Sequence, residues 1–149
     1  MIIKKYFEDY EIGETRETFG RTVTETDFVV HAGHSGDFYP HHMDVEWCKK
    51  QDFGQRIAHG TMVFTIGVGL TAGVVNPVAF SYGYDKLRFL RAVHIGDTIH
   101  TKVEVTAKSP DPKRKGYGRV IEATTVYNQE NIAVLYCEHI YMTEMRARP

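Results

Sequence analysis

The segment from Thr61 to Val74 constrains the fold most, because it is apolar on nearly every side. A helix without a polar face has to be buried all round. Gly67, Gly69 and Gly73 interrupt the segment, and each glycine destabilises a helix by roughly 1 kcal/mol relative to alanine. Close packing against a sheet or a ligand would explain them. We therefore predict a buried central helix that Asn76-Pro77 ends.

The second half of the chain has the patterns of an antiparallel sheet. Two prolines and a charge run predict an exposed loop at residues 109–116, and residues 128–131 predict a hairpin turn. One buried helix followed by a meander of strands is typical of the α+β class, with the sheet wrapped on the helix. Aromatic content or period-two alternation marks four strands, at residues 78–91, 98–105, 118–127 and 132–143.

The first half of the chain is predicted to be helical and irregular. Thr24-Glu25-Thr26-Asp27 resembles a capping box, with a hydroxyl followed three positions later by an acid. We expect a helix to begin near Glu25 and to end by Gly33 or Gly36. Asp44 can cap a short helix from Val45 to Lys50.

Composition limits the class of protein. A chain of 149 residues, 42% hydrophobic and 25% charged, predicts one domain over residues 1–149. The net charge of -1 gives no argument for nucleic acid or for an anionic membrane as partner. Cys48 and Cys137 lie far apart, which favours buried thiols in a reducing compartment. The apolar start is short for a signal peptide and the central segment is broken, so we expect a cytoplasmic protein.

Two features of the first half carry chemistry. Asp37 and His42 lie five positions apart, on either side of Pro40, and are a candidate pair for proton transfer. His59-Gly60 leads into the apolar helix and offers backbone N–H groups at its positive end. Together they indicate acid/base chemistry beside a polarised carbonyl. The alternatives are a capping Asp37 with a surface His42, and a glycine that only makes a tight junction. For His59 a structural role is favoured over a catalytic one.

Three segments together resemble the MaoC-like, R-specific enoyl-CoA hydratases. Residues 35–44, Ser-Gly-Asp-Phe-Tyr-Pro-His-His-Met-Asp, are similar to the Asp-x-Asn-Pro-x-His signature of that family. Residues 57–62 resemble the start of its central helix, and residues 86–98 resemble its strand and turn, with Ala92 where proline is usual. The likeness runs in order from about Phe7 to about Thr143. It implies a hot-dog fold, an antiparallel sheet around one long central helix, assembled as a homodimer or a dimer of dimers.

The resemblance also implies an activity, the reversible hydration of a 2-enoyl-CoA to an R-3-hydroxyacyl-CoA by a hydro-lyase. Asp37 and His42 would handle the water, and the Gly60 N–H would polarise the thioester carbonyl. The coenzyme A thioester is then a substrate, and no metal, flavin or nicotinamide is implied as a cofactor.

The resemblance places the substrate against the central helix and the catalytic loop. Tyr39 replaces the asparagine of the signature, and we expect its bulk to shorten the acyl pocket. Val68 stands where the family carries a serine, and Thr65 or Thr71, one turn away, could supply the hydroxyl. The predicted substrate-binding residues are Tyr39, His59, Met62, Phe64, Thr65 and Arg88.

Two groups of cations could meet the phosphates of coenzyme A. The alternative for the charged loop is a solvated hairpin tip. The first group is Lys86, Arg88 and Arg91, and the second is the loop run Lys113, Arg114 and Lys115.

Three alternative functions stay open at this point. His31, His34 and Asp37 could bind a metal, since two imidazoles and a carboxylate suffice for an oxygenase iron. A hot-dog thioesterase would use the same polarised carbonyl to break the C–S bond. A catalytically idle acyl-CoA-binding module would explain Tyr39 and Val68.

Overall fold

A computed structural model of the chain, which describes residues 1–146, contains one antiparallel sheet with helices on one face. The α-helices within this range are α1 (Glu25–Ser35), α2 (Pro40–Met43), α3 (Val45–Cys48) and α4 (Gly60–Leu70), with 3-10 turns at Phe7–Asp9 and Thr71–Gly73. The strands are β1 (Thr15–Glu17), β2 (Arg21–Thr22), β3 (Ala79–Phe89), β4 (Thr98–Pro110), β5 (Tyr117–Tyr127) and β6 (Ala133–Glu144).

The strands are ordered β1-β4-β5-β6-β3. The two-residue strand β2 pairs with β4 as well, next to the part of β4 that pairs with β1. Long ladders join β4 to β5, β5 to β6 and β6 to β3, all antiparallel. The predicted α+β architecture is therefore confirmed. None of the helices within residues 1–146 is long and apolar enough to cross a bilayer.

Helix α4 packs its length onto the inner face of the sheet. Its buried residues Met62 and Val63 share one core with Ile99, Val126 and Leu135 of the strands. This packing brings α4 across the sheet and holds its first residue at one end of it.

Gly67 explains why this helix tolerates glycine. A Cβ atom at this position would lie 2.5 Å from a methyl carbon of Val126, far inside van der Waals contact. The Gly67 carbonyl also accepts a hydrogen bond from the Thr101 hydroxyl at 2.8 Å. Close packing on the sheet is thus confirmed for Gly67, whereas Gly69 and Gly73 have open space around them.

The remaining differences from the sequence prediction are local. Helix α4 begins one residue earlier and continues after Leu70 as a 3-10 turn, and α3 ends at Cys48. Strand β4 extends to Pro110, which had been assigned to the loop. Pro110 is tolerated because it lies opposite Gly118, at a position where the ladder needs no N–H donor. The ladder hydrogen bond is made one residue later, where the Asp111 N–H donates to the Tyr117 carbonyl.

Both cysteines are buried and unpaired, as predicted. Cys48 packs under α2, where its thiol donates to the Pro40 carbonyl at 3.3 Å. Burial raises the pKa of the Cys137 thiol to about 11.

His139 on β6 gives the fold a specific dependence on pH. Burial, with a smaller contribution from Arg16, lowers the pKa of His139 to about 4. Between about pH 6.5 and about pH 4, His139 takes up a proton in the unfolded chain but not in the folded chain. The free energy of unfolding therefore falls as the pH falls. The expected loss is about 3 kcal/mol for the full interval.

Urea unfolding of wild type and His139→Gln at about pH 7 and about pH 4.5 measures this loss. The glutamine can keep the hydrogen bond that joins His139 to the Ser81 hydroxyl at 2.7 Å but does not titrate. We expect the variant to lose less stability than wild type on acidification. An equal loss in both proteins would show that His139 does not carry the effect.

Candidate active site

The end of α1 places Asp37 on an exposed loop. Gly36 adopts φ 78°, the left-handed conformation that favours glycine, and its N–H donates to the Ala32 carbonyl at 2.8 Å. The Asp37 N–H donates to the Ser35 hydroxyl, and Asp37 Oδ1 accepts from the Tyr39 N–H, both at 3.2 Å. The Asp37 side chain is 49% exposed, so its second oxygen is available to a ligand.

Helix α2 positions His42 as a candidate base. Pro40 occupies its first position, where the missing N–H costs nothing. His42 Nδ1–H donates to the Ile57 carbonyl at 2.6 Å, because a carbonyl can only accept. The lone pair of neutral His42 is therefore on Nε2, in the tautomer that a general base needs.

His59 lies behind this pair, with its side chain only 1% exposed. Its Nε2–H donates to the backbone carbonyl of Asp37 at 2.8 Å. Its ring stacks on that of His42, with centroids 3.8 Å apart, and on its other side lies His31, which is hydrogen-bonded to Thr61 at 2.9 Å. The predicted role of His59 as a substrate contact does not fit this burial.

Gly60 opens α4 beside His42. The Ala58 N–H donates to the Val93 carbonyl at 2.7 Å and fixes the approach to the helix. The Gly60 N–H has no acceptor within residues 1–146, as expected in the first turn of a helix. A Cβ on Gly60 would lie 2.7 Å from the ring of Phe89, so glycine lets this ring lie directly against the start of α4.

His42 and Gly60 share the wall of one cavity of about 310 Å³, which we call the His42 cavity. A base and a free N–H thus open onto the same mostly apolar space. Phe89 and Val134 on its wall were not predicted, because the pairing of β3 with β6 brings them together. Arg91, in the turn after β3, belongs to the first group of candidate cations. The lining residues are His42, Ile57, Ala58, Gly60, Val63, Phe89, Leu90, Arg91, Ala92, Val93 and Val134.

Two predicted substrate contacts lie on the surface outside this cavity. Tyr39 is 55% exposed and stacks on the ring of His41 at 4.7 Å. Arg88 is exposed, and its guanidinium donates to the Leu87 carbonyl at 2.8 Å. Neither side chain lies on the wall of the His42 cavity.

The predicted contacts on α4 face other directions. Met62 and Thr65 line a separate groove of about 290 Å³ between α1 and α4, and Phe64 packs edge-on against Tyr84. Helical periodicity explains the separation, since positions 60 and 63 share the cavity side while 62 and 65 lie about half a turn away.

Neither threonine near Val68 replaces the missing serine donor. The Thr65 hydroxyl donates to the Thr61 carbonyl at 2.8 Å. The Thr71 hydroxyl donates to the Val68 carbonyl at 2.7 Å. Both protons are therefore used within the helix itself.

The two groups of cations lie at opposite ends of the sheet. Arg91 lines the His42 cavity, while Lys86 pairs with Glu138 at 2.7 Å. Residues 113–115 lie beside the first residues of β3, and the cavity lies beside its last. An eleven-residue strand separates the two by roughly 35 Å.

The alternative metal site does not form around His31, His34 and Asp37. Within residues 1–146, the set with ligand atoms close enough for one ion is Asp37, His42 and His59, within 4.8 Å of one another. The rings of the two histidines are stacked 24° from parallel, so their in-plane lone pairs run side by side instead of converging. This arrangement fits proton transfer better than coordination.

Comparison with known proteins identifies the family. The model of the MaoC like domain matches residues 8–127. The chain therefore belongs to the MaoC-like domain family, as its motifs had indicated, and its relatives include hydratases and dehydratases of coenzyme A esters.

Three curated relatives are similar over about three quarters of the chain. Protein MaoC of Klebsiella aerogenes is 37% identical over 112 residues, 74% of this chain, which spans 33% of that protein. The (R)-specific enoyl-CoA hydratase of Rhodospirillum rubrum is 34% identical, covering 75% of this chain and 77% of the relative. The 3-hydroxybutyryl-CoA dehydratase of Methylorubrum extorquens is 33% identical, covering 73% and 69%.

Solved structures agree on the fold. A monoamine oxidase regulatory protein from Archaeoglobus superposes with TM-score 0.89 at 35% identity, covering 97% of both chains. The R-hydratase PhaJ1 of Pseudomonas aeruginosa gives 0.77 at 30%, covering 96% and 88%. A Mycobacterium tuberculosis protein described as a double hot-dog fold gives 0.82 at 24%, covering 98% and 46%. The predicted hot-dog fold is confirmed.

Proposed function

We propose that this protein is a hydro-lyase that reversibly hydrates a 2-enoyl-CoA to the R-3-hydroxyacyl-CoA. The observation that carries the proposal is the shared cavity, onto which both the His42 side chain and the Gly60 end of α4 open. Asp37 does not line this cavity, but ligand atoms of Asp37, His42 and His59 lie within 4.8 Å of one another. The names of the two relatives that act on enoyl- or hydroxyacyl-CoA support the same reaction.

The chemistry needs a held water, a base and a stabilised oxyanion. Asp37 and His42 Nε2 hold a water, and the pair takes one of its protons as the oxygen bonds to C3 of the enoyl group. Negative charge moves onto the thioester oxygen, where the Gly60 N–H stabilises it. The pair then returns a proton to C2. Water adds without any change of oxidation state, so the proposal requires no flavin or nicotinamide.

Incubation with crotonyl-CoA tests the activity. Loss of enoyl absorbance without release of free thiol is the expected result. Release of thiol would identify a thioesterase instead, and tight binding without either change would identify a non-catalytic acyl-CoA-binding module.

The coenzyme A half of the substrate is proposed to meet Arg91. This residue is exposed and lies at the edge of the His42 cavity, where a guanidinium can pair with phosphate.

The reducing cytoplasm is the proposed compartment, supported by the two buried unpaired thiols.

Acyl specificity is expected to follow the cavity wall. Phe89 and Val134 bound a space of about 310 Å³, in which each accommodated methylene should contribute roughly 0.8 kcal/mol. We expect kcat/KM to rise to about four to six carbons and then fall, because the next methylene meets the wall. Phe89→Ala should shift the optimum to longer chains, while the exposed Tyr39→Asn should leave it unchanged.

Steady-state kinetics with enoyl-CoA esters of increasing length decide between these outcomes. A rise in kcat/KM that continues to about ten or twelve carbons in wild type would show that the cavity does not limit the chain. If Tyr39→Asn shifted the optimal acyl chain length and Phe89→Ala did not, the catalytic loop would set that length and the cavity wall would not.

The proposed assembly is a homodimer. Strand β3 forms one edge of the sheet and carries the exposed aromatics Phe80, Tyr82 and Phe89. An exposed edge with apolar side chains favours pairing with another copy. Light scattering should give twice the chain mass of 17.1 kDa, and Tyr82→Lys should reduce it. A monomeric wild type at micromolar concentration would contradict the dimer.

A further inference from the structure

His59 has a buried nitrogen that the fold leaves without a partner. Its Nδ1 is shielded from solvent and has no hydrogen-bond partner within residues 1–146. Buried polar atoms are almost always satisfied, so a position that keeps such an atom calls for an explanation. The hydrogen bond made by the other ring nitrogen, Nε2, provides that explanation.

Hydrogen bonding fixes which nitrogen of the His59 ring acts as a donor. Nε2 must carry the hydrogen, because it faces the Asp37 carbonyl at 2.8 Å. Among the described residues, Nδ1 faces no acceptor for a second hydrogen. His59 is therefore a fixed donor, and its second nitrogen is unused.

This donor ties the catalytic loop to the central helix. The other hydrogen bonds of residues 36–39 run to neighbours in sequence, from Ala32 to His42. Within residues 1–146, the bond from His59 is the loop's one hydrogen bond to a distant part of the chain, 22 positions away. Residues 36–39 are otherwise exposed, so a single bond sets where Asp37 stands.

The same ring supports the base. His59 stacks face to face with His42, with 24° between the planes, and the Nδ1–H of His42 is held by the Ile57 carbonyl. One buried side chain thus touches both members of the pair, the backbone of Asp37 and the ring of His42. It reaches them from behind, away from the wall of the His42 cavity.

We propose that His59 is a positioning residue, whose Nε2–H holds the Asp37 loop at the distance at which Asp37 and His42 can share one water. This inference rests on the proposed hydration and replaces the substrate contact predicted for His59. A misplacement of about 1 Å can reduce a rate on the order of 10²-fold, so the anchor should matter for kcat and little for binding.

Two amide substitutions distinguish the loss of the hydrogen bond to Asp37 from a general effect of changing a buried side chain at position 59. In His59→Gln the amide nitrogen takes the place of Nε2 and can still donate to Asp37. In His59→Asn it takes the place of Nδ1 and cannot. We expect kcat for crotonyl-CoA to fall about 10²-fold in the asparagine variant and less than about tenfold in the glutamine variant. KM should change less than about twofold in both.

His59→Phe repeats the test with the buried volume preserved. It keeps an aromatic ring against His42 and lacks the donor, so it should behave like His59→Asn even if that variant is destabilised. His34→Gln, an exposed position on α1, is the surface control and should match wild type. Equal losses in the glutamine and phenylalanine variants, or a loss confined to KM, would overturn the proposal.

Hydrogen exchange provides a readout that needs no turnover. The Phe38 and Tyr39 amides, which close the loop onto Gly36 and Asp37, should exchange faster in His59→Phe and at the wild-type rate in His59→Gln. An inactive wild type would refute the hydratase, while the exchange rates would still decide the anchor. Unchanged exchange in His59→Phe would show that the bond does not hold the loop.

Discussion

Replacing His42 with alanine is expected to lower kcat for crotonyl-CoA hydration by about 10²–10⁴-fold, the range for a lost general base. The reason is local, because Nδ1 of His42 is bound to the Ile57 carbonyl at 2.6 Å and Nε2 is the nitrogen left for water. Stopped-flow or steady-state loss of enoyl absorbance measures the change.

The partner variant makes this prediction specific. Asp37→Asn should lose a similar factor, and the double variant should lose far less than the product, because both groups act on one water. His41→Ala is the matched control, since its ring stacks on Tyr39 and does not line the His42 cavity. Near wild-type turnover in His42→Ala would refute the mechanism.

Removing Arg16 is expected to destabilise the fold strongly. Its guanidinium binds both oxygens of Glu122 at 2.6 Å, and the Glu122 side chain is only 2% exposed. Arg16→Ala would leave that carboxylate buried without a partner, which typically destabilises a protein by 3–5 kcal/mol. Because Arg16 is itself 42% exposed and a cavity of about 260 Å³ adjoins the pair, we expect about 2–3 kcal/mol.

Urea unfolding at about pH 7 measures the loss. Lys49→Ala breaks an exposed pair with Glu46 and should change stability by at most about 0.5 kcal/mol. Arg16→Met combined with Glu122→Gln should recover part of the loss, because no unpaired charge is left behind. Equal losses of stability in Arg16→Ala and Lys49→Ala would show that solvent screens the Arg16–Glu122 pair as well.

The elements that were predicted correctly carry their own signal in the sequence. Helix α1 has its capping box, α4 has its apolar segment, and strands β3 to β6 have aromatic or alternating patterns. Strands β1 and β2 have three and two residues, all exposed, so no alternation marks them. They exist because β4 offers an edge to pair with.

The site was predicted in part for the same reason. Asp37, His42 and Gly60 lie in two short motifs, and the fold brings those motifs together. Phe89 and Val134 reach the cavity through the pairing of β3 with β6, whose bulges between Asp85 and Arg88 no local pattern specifies. A sequence gives residue types along a strand, whereas the identity of a cavity wall depends on which strands become neighbours.

The bond from His42 to Ile57 has a stereochemical consequence. Ile57 lies three residues before Gly60, and its N–H donates to the His41 carbonyl at 3.0 Å. The proposed base and the proposed oxyanion donor therefore belong to one short, hydrogen-bonded segment. If this segment shifts, both groups shift together, and the face of the double bond that meets water stays the same. Variants of the cavity wall should therefore change which acyl chains react while every product keeps the same handedness at C3.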